Sequence, residues 1–232
     1  MTKLKELSVF FPAYNEENNI EHTVLTAIET CKKIAQKYEI IVVNDGSKDK
    51  TGEICDKLAS QFPEVKIITH NPNRGYGGAL KSGFYAARYE YIAFTDSDGQ
   101  FDFSQIEHFI PFFDEYKVII GYRKKRVEGF LRALNAKAWG SLVNLLFGMR
   151  VKDVDCAFKV FKKEVIDAIP VLEAEGALIS TELLVKIKKA GYAIKQIPVD
   201  HLPRKGGRPT GANIKVIIRA FHELFKLWEK LK

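Results

Sequence analysis

The chain has 232 residues, which allows one large domain or one domain with a small appendage. Hydrophobic residues make up 46% of the sequence and charged residues 28%, so the composition excludes a disordered or collagen-like chain. No apolar run approaches the roughly 20 residues of a membrane-spanning helix, and the polar first residues predict no signal peptide. Three widely separated cysteines argue against a disulfide framework or a zinc site and favour the cytoplasm.

The net charge of +7 is unevenly distributed along the chain. Residues 1–116 contain 12 Lys and Arg against 18 Asp and Glu, whereas residues 117–152 contain 9 against 1. Residues 153–200 are nearly balanced, with 7 against 8, and residues 201–232 contain 8 against 2. Two basic stretches after an acidic half indicate an anionic partner such as a phosphate, an anionic lipid or a nucleic acid, although solvated helix surface would give the same pattern.

Five short apolar runs in the first half, each bounded by Asn, Asp, Gly or Pro, predict buried strands. They are Leu7–Phe11, Ile40–Val43, Val65–Thr69, Tyr91–Thr95 and Val118–Gly121. Longer segments with apolar residues at helical spacing separate them. This alternation predicts an α/β fold, a mostly parallel sheet with helices on both faces, in which ligands bind beyond the carboxyl ends of the strands.

The second half is predicted to contain helices and one further strand, at Phe130–Phe147, Ser180–Ala190, Ile194–Val199 and Asn213–Lys232. The last helix carries an apolar stripe with Lys and Arg around the rest of its surface. Such a helix can lie in a membrane interface, or it can pack on its own domain or on a second subunit. We therefore divide the chain into a domain over residues 1–211 and an amphipathic helix over residues 212–232.

Asp96-Ser97-Asp98 follows the fourth predicted strand. Two carboxylates at a strand end can face one ligand if the strand breaks there, and Gly99 makes that break easy. Hard cations such as Mg²⁺ or Mn²⁺ take oxygen ligands and often share them with phosphate, and the amide oxygen of Gln100 can add another. The alternative is an Asp/Gly turn that merely ends a strand.

Polar residues also follow the other predicted strands. Glu16 follows the first strand and Asp45 the second, where a carboxylate can accept hydrogen bonds from a base or ribose, or instead cap the next helix. The glycines of residues 75–78 follow the third strand and do not form the dinucleotide fingerprint, which argues against an NAD or FAD enzyme. We predict that they permit a tight turn into a helix over Ala79–Arg88.

Five arginines in the basic stretches have the forked shape that suits phosphate oxygens: Arg123, Arg126, Arg132, Arg204 and Arg208. An acidic metal site facing a basic rim is what a diphosphate leaving group requires. Asp153, Asp155 and Glu182 are candidate general bases, with surface carboxylates as the alternative. If the acceptor is already a phosphate monoester anion, no strong base is needed, and one carboxylate only positions it.

Taken together, the segments at the strand ends resemble those of inverting family 2 glycosyltransferases with the GT-A fold. The closest match is the branch of dolichol- or polyprenyl-phosphate sugar synthases. The segments that carry the resemblance are residues 11–16 (FPAYNE), 42–51 (VVNDGSKDKT), 73–79 (NRGYGGA), 96–100 (DSDGQ), 153–159 (DVDCAFK) and 198–208. They occur in order from about residue 7 to residue 211, and the ordered set is far more specific than any one motif.

The resemblance implies roles for individual residues. Those that bind the nucleotide sugar would be Pro12, Tyr14, Glu16, Asp45, Asp96 and Ser97. The metal and the diphosphate would be held by Asp96, Asp98 and Gln100. Donor or acceptor phosphate would contact Arg123, Arg132, Arg204 and Arg208. The carboxylates near the reacting groups would be Asp98, Asp153 and Glu182. The chain departs from the family at Asn44, where many relatives have aspartate, and at Ala157, which replaces a common glycine.

The expected activity is metal-dependent transfer of a hexose, mannose or glucose, from a GDP- or UDP-sugar to a polyprenyl or dolichyl phosphate at the cytoplasmic face of the membrane. Three alternatives remain open: a soluble saccharide or protein acceptor, a sugar-phosphate nucleotidyltransferase, and a non-catalytic nucleotide-sugar-binding protein. Nucleic-acid binding is not expected, because aromatic and basic residues are not interleaved as a stacking surface requires. A homo-oligomer or a membrane-protein partner also remains open.

Overall fold

The computed structural model describes residues 3–125, 130–204 and 214–230. The strands in these residues are β1 (Leu4–Ala13), β2 (Ala35–Asn44), β3 (Val65–Thr69), β4 (Tyr91–Phe94), β5 (Val118–Arg123), β6 (Lys159–Lys162) and β7 (Ile194–Val199). They form one sheet in the order β3-β2-β1-β4-β6-β5-β7. All of them run in the same direction except β6, which pairs antiparallel with β4 and β5. The predicted mostly parallel α/β fold is confirmed.

Helices connect the strands and pack against the sheet. They are α1 (Ile20–Ile34), α2 (Thr51–Gln61), α3 (Gly75–Ala86), α4 (Phe130–Phe147), α5 (Lys163–Ala168), α6 (Ile179–Lys189) and α7 (Ile214–Lys230), with 3₁₀ helices at Phe103–His108 and Ile110–Phe112. Helix α1 shows why they form, because its buried residues recur at helical spacing while its Lys and Glu side chains face solvent.

The core centres on β1, which lies between β2 and β4 and is buried from Leu7 to Ala13. The Phe10 ring stacks on Phe94 with centroids 5.1 Å apart and meets the edge of Phe84 at 4.9 Å. A Cβ atom on Gly83 would lie 2.2 Å from the Phe10 ring. Helix α3 therefore approaches the sheet closely because it carries a glycine at this position.

Strand β6 is absent from the sequence prediction. A lysine stands at each end of this four-residue strand, so the segment reads as exposed loop. In the structure Lys159 is fully buried, and its Nζ donates a hydrogen bond to the carbonyl oxygen of Cys156. Burial lowers the pKa of Lys159. Tertiary contacts thus overrode the local polarity.

The predicted start of α3 at Ala79 is wrong, because the helix begins at Gly75. Gly75 has the left-handed φ of +78°, and the following glycines belong to the first turn of the helix. A Cβ atom on Gly77 would lie 2.4 Å from the carbonyl oxygen of Ala174, and the Gly77 N–H donates to the carbonyl oxygen of Glu175 at 2.8 Å. Because these glycines have no side chain, the 171–176 loop can pack directly against α3.

The described part of α7 packs on the domain. Leu224 and Leu227 are buried, and the Phe221 ring meets the edge of Trp139 in α4 with centroids 5.3 Å apart. Phe225 is 48% exposed. The predicted boundary between residues 211 and 212 lies outside the described residues. Among the helices that are described, none combines the length and apolarity needed to cross a bilayer.

Candidate functional site

The segments that follow β1, β2 and β4 meet at one edge of the sheet. The Ser97 hydroxyl donates to the carbonyl oxygen of Pro12 at 2.7 Å, and the Asp45 N–H donates to the carbonyl oxygen of Ala13 at 2.8 Å. These bonds tie the three strand ends together. Six predicted binding residues lie at this edge, as expected for parallel strands: Pro12 at the end of β1, and Tyr14, Glu16, Asp45, Asp96 and Ser97 on the segments that follow the strands.

Asp96 and Asp98 lie at this edge in different surroundings. Asp98 is buried, and its Oδ2 pairs with Nη2 of Arg204 at 2.5 Å while its Oδ1 accepts the N–H of Gln100 at 3.0 Å. Asp96 is half-buried and accepts the Tyr76 hydroxyl at 2.9 Å. Asp98 is thus paired with the positively charged Arg204, whereas Asp96 accepts a hydrogen bond from a neutral hydroxyl.

Burial and, to a smaller extent, the neighbouring charge of Asp98 raise the pKa of Asp96 to about 7, against the lowering effects of the Tyr76 hydrogen bond and of the Lys159 and Arg123 charges. Desolvation is thus the main reason why Asp96 holds its proton tightly. Within the described ranges, no group of three or more His, Cys, Asp and Glu is arranged to hold a metal. Two carboxylates and an amide oxygen instead fit Mg²⁺ or Mn²⁺, which keeps water or phosphate oxygens as its remaining ligands.

Arg204 bridges two of the predicted site carboxylates. Its Nη1 lies 3.4 Å from Oε1 of Glu16, and its Nη2 pairs with Asp98. Burial raises the pKa of Glu16, against the lowering effects of a 2.8 Å hydrogen bond from Asn19 and of the Arg204 charge. These two contacts hold Arg204 beside Glu16 and Asp98 at the carboxyl edge of the sheet. An arginine that is distant in sequence thus becomes part of the site.

Asp45 is buried between two strand ends, whereas Tyr14 is 41% exposed. Oδ1 of Asp45 lies 2.6 Å from Nδ1 of His70 and accepts the Arg74 N–H at 2.8 Å. Our sequence reasoning missed His70, which directly follows β3. Its position one residue beyond a parallel strand was the available signal, since that places it at the same edge as Asp45.

Arg123 and Asp153 bind each other. Nε and Nη2 of Arg123 donate to the two carboxylate oxygens of Asp153 at 2.7 and 2.8 Å. This is a bidentate pair between the end of β5 and the segment before β6, and Asp153 is buried in it. Both carboxylate oxygens of Asp153 are thus engaged by one guanidinium.

Glu182 is buried in α6, and its partners belong to the 171–176 loop. Its carboxylate accepts the N–H groups of Glu173 and Ala174 at 2.8 to 3.0 Å and pairs with Lys186 at 2.5 Å. None of these partners is another predicted site residue. Its catalytic role stays a prediction. Of the other predicted phosphate ligands, Arg126 and Arg208 lie outside the described residues, as does the side chain of Arg132.

A family model described as glycosyl transferase family 2 matches residues 8–169. The chain is 33% identical over 208 residues to the glycosyltransferase AglD of Haloferax volcanii, covering 86% of this chain and 33% of that protein. It is 32% identical over 220 residues to the dolichyl-phosphate beta-glucosyltransferase of Saccharomyces cerevisiae, covering 83% of this chain and 66% of that protein. The matched region thus spans about a third of the length of the Haloferax protein and just under two thirds of the length of the yeast protein.

The fold is shared with glucosyl-3-phosphoglycerate synthase from Mycobacterium tuberculosis, whose crystal structure contains Mn²⁺, UDP and glucosyl-3-phosphoglycerate. The TM-score is 0.70, and the match covers 97% of this chain and 80% of that one. Sequence identity is 19%, so this likeness concerns the fold alone.

Proposed function

The chain belongs to glycosyl transferase family 2, and from that premise we propose that it transfers a hexose from a UDP- or GDP-sugar to a polyprenyl phosphate with inversion. The observation that carries the proposal is the pair Asp96 and Asp98 at the carboxyl edge of the sheet, beside the ends of β1 and β2. The yeast relative, named for a dolichyl-phosphate acceptor, supports the acceptor class.

Donor binding would use the edge formed by β1, β2 and β4. The nucleoside would lie against Pro12, Tyr14, Glu16 and Asp45, with Ser97 tying the strand ends beneath it. The residues that would hold Mg²⁺ or Mn²⁺ are Asp96, Asp98 and Gln100. When bound, the cation would neutralise negative charge that develops on the departing diphosphate.

The transfer itself needs little from a protein base. An oxygen of the acceptor phosphate attacks the anomeric carbon opposite the leaving group, the bond from that carbon to the diphosphate oxygen breaks, and the nucleoside diphosphate keeps the electron pair. Because a phosphate monoester is already an anion, no proton has to be removed. The pairing of Asp153 with Arg123 suits this chemistry, because both of its carboxylate oxygens already accept hydrogen bonds. Arg123 and Arg204 would hold phosphate oxygens.

A thermal-shift panel tests the donor. UDP- and GDP-sugars are added with Mn²⁺, with Mg²⁺ and with a chelator, and a bound donor should raise the unfolding midpoint only when a cation is present. CDP- and ADP-sugars serve as controls. If no donor shifts the midpoint with either cation, the proposal fails.

We also propose that the enzyme works peripherally at the inner face of the membrane, supported by the basic charge of residues 201–232 and the exposed Phe225. Sedimentation with anionic vesicles compares the full chain with Phe225→Ser. We expect about fivefold weaker binding, since partial loss of a buried phenyl ring is worth on the order of 1 kcal/mol. Exposed His108→Ser is the control. Equal binding of all three proteins contradicts the membrane role of α7.

A short, water-soluble prenyl phosphate distinguishes the acceptor classes. Transfer to that compound, but not to glycerol phosphate or free saccharides, is expected of a polyprenyl-phosphate enzyme. Transfer only to a soluble acceptor would refute the lipid acceptor while leaving the glycosyltransferase chemistry intact.

A further inference from the structure

Asp45 is fixed between the turns that follow β2 and β3. Its backbone N–H donates to the carbonyl oxygen of Ala13 at 2.8 Å, and its own carbonyl oxygen accepts Nδ2 of Asn73 at 2.6 Å. Its Oδ1 accepts the Arg74 N–H at 2.8 Å and meets Nδ1 of His70 at 2.6 Å. Both the backbone and one carboxylate oxygen are therefore immobilised.

The second carboxylate oxygen of Asp45 has a different environment. Oδ2 accepts no hydrogen bond from any residue within the described ranges, and it is not sealed away from solvent. A carboxylate oxygen in a buried position is normally paired. Oδ2 is thus the atom of Asp45 that is left to receive a hydrogen bond from a ligand.

His70 is held on both sides of its ring. An ionised carboxylate can only accept, so Nδ1 of His70 carries the hydrogen, and Nε2 accepts the Ser82 hydroxyl at 2.9 Å in the neutral ring. The side chain is buried, and the His70 N–H donates to the carbonyl oxygen of Asn44 at 2.9 Å. A chain of contacts from α3 to β2 therefore sets the orientation of the Asp45 carboxylate.

We propose that His70 is a positioning residue for recognition of the donor base, an inference that rests on the proposed function. By fixing Oδ1 of Asp45, His70 orients Oδ2 to accept a hydrogen bond from a ring N–H of the base. Uracil and guanine carry such a ring N–H, whereas cytosine presents an acceptor nitrogen there that the carboxylate repels. The site should therefore take uridine or guanosine diphosphate sugars and reject cytidine.

Calorimetric binding of UDP, GDP and CDP in the presence of Mn²⁺ tests the proposal on three variants. In His70→Leu the dissociation constant of the preferred nucleotide should rise about tenfold, the usual worth of a hydrogen bond to a charged group, while CDP binding stays unchanged. In His70→Asn, Nδ2 of the new side chain can donate from near the position of Nδ1, so most of the affinity should return. Ser82→Ala should have a smaller effect than His70→Leu.

Kinetics add a readout that a purely structural role would not produce. His70→Leu should raise KM for the donor while kcat at saturating donor stays within about twofold, because the residue acts on binding and not on the reacting atoms. His108→Leu, at an exposed histidine, is the matched control and should behave as the wild type.

Several results would overturn the inference. Equal losses in His70→Leu and His70→Asn, or CDP binding that weakens as much as UDP binding, would show a structural role only. If Asp45→Asn weakens nucleotide binding and His70→Leu does not, positioning by His70 is refuted and the proposed function stands. If the wild type binds none of the three nucleotides with Mn²⁺, the proposed function itself fails.

Discussion

Two clusters, each made of at least one buried carboxylate and its hydrogen-bond partners, lie toward opposite edges of the same sheet. They differ in how the carboxylate charge is balanced. Glu39 of β2 lies near the amino end of β4, and its carboxylate accepts hydrogen bonds from Ser8, Lys66 and Arg88 at 2.8 to 3.0 Å. At the carboxyl edge, Asp96 accepts one hydrogen bond from the described residues, that of the Tyr76 hydroxyl, and Arg204 is shared between Asp98 and Glu16.

The pKa values follow from these surroundings. Burial alone would raise the pKa of Glu39, but the hydrogen bonds from Lys66, Arg88 and Ser8 together bring it below its usual value. Burial and the Asp98 charge raise the pKa of Asp96 to about 7, because the Tyr76 hydrogen bond and the Lys159 and Arg123 charges offset them only in part. The Glu39 carboxylate is thus compensated by the protein itself, whereas under the proposed function a cation would complete the compensation of Asp96 and Asp98.

The largest effect is expected from Asp98→Asn, which removes charge from the acidic edge. Under the proposed function a cation held there assists departure of the diphosphate, so sugar transfer should fall by about a thousandfold or more. Initial rates with Mn²⁺ measure the loss, and circular dichroism verifies the fold. Asp114→Asn, at an exposed aspartate, should keep full activity. Normal activity of Asp98→Asn would break the distinction between the two clusters.

Glu39→Ala should instead affect stability. It leaves the buried Ser8 hydroxyl and the Arg88 N–H without their carboxylate acceptor, which should cost about 1–3 kcal/mol of unfolding free energy. Urea denaturation measures this, and sugar transfer by the folded variant should be unchanged. Glu107→Ala, at an exposed position, is the control. A loss of transfer in Glu39→Ala at temperatures where it is folded would contradict the structural assignment.

A third prediction concerns pH. Because the pKa of Asp96 is raised, the native state binds its proton more tightly than the unfolded chain does. Its stabilisation is complete below the usual value of 3.8 and is lost as the pH rises through about 7. In metal-free buffer, the unfolding midpoint of the wild type should fall by a few degrees relative to Asp96→Asn as the pH rises from about 5 to about 8.

Mn²⁺ should reverse this loss at about pH 8 in the wild type and not in Asp96→Asn, since the ionised carboxylate is the ligand. Glu39→Gln should show the opposite dependence of stability on pH. The pKa of Glu39 is lowered, so its stabilisation is present above 4.5 and is lost as the pH falls through its native value. If both variants changed in the same direction with pH, the contrast between the clusters would be wrong.

The smallest effect is expected from Lys66→Met. The Lys66 amine is half-exposed and is one of several donors to Glu39, so its removal should cost less than about 1 kcal/mol. Denaturation in low and high salt measures the difference, which should shrink as salt screens the pair. A cost equal to that of Glu39→Ala would mean that Lys66 alone balances the charge.

The sequence predicted most strands because most of the parallel strands contain a continuous apolar run, such as Ile40–Val43 in β2. Val65–Thr69 and Ile194–Val199 match the structure at both ends. Strand β6 was not predicted, because it pairs antiparallel and a lysine at each end makes a buried segment look polar in the sequence. The first turn of α3 was not predicted, because glycine has a low helix propensity. The close contact with the 171–176 loop explains why glycines occur there.

The candidate site was predictable in part for the same reason. Residues that directly follow parallel strands, such as Asp45 and Asp98, must gather at one edge, so the chain order alone assembles them. The pairing of Arg123 with Asp153 and the loop contacts of Glu182 depend on how distant segments pack, and no local pattern encodes them.

By itself, the sequence determined the alternation of strands and helices and the polar residues at each strand end, because both are set by local hydrophobic periodicity and turn chemistry. Only the tertiary structure decided which carboxylates are compensated. Charge balance depends on distances between residues far apart in the chain, as between Arg204 and Glu16, and on the burial that strengthens those interactions. The tertiary structure likewise joined His70 to Asp45.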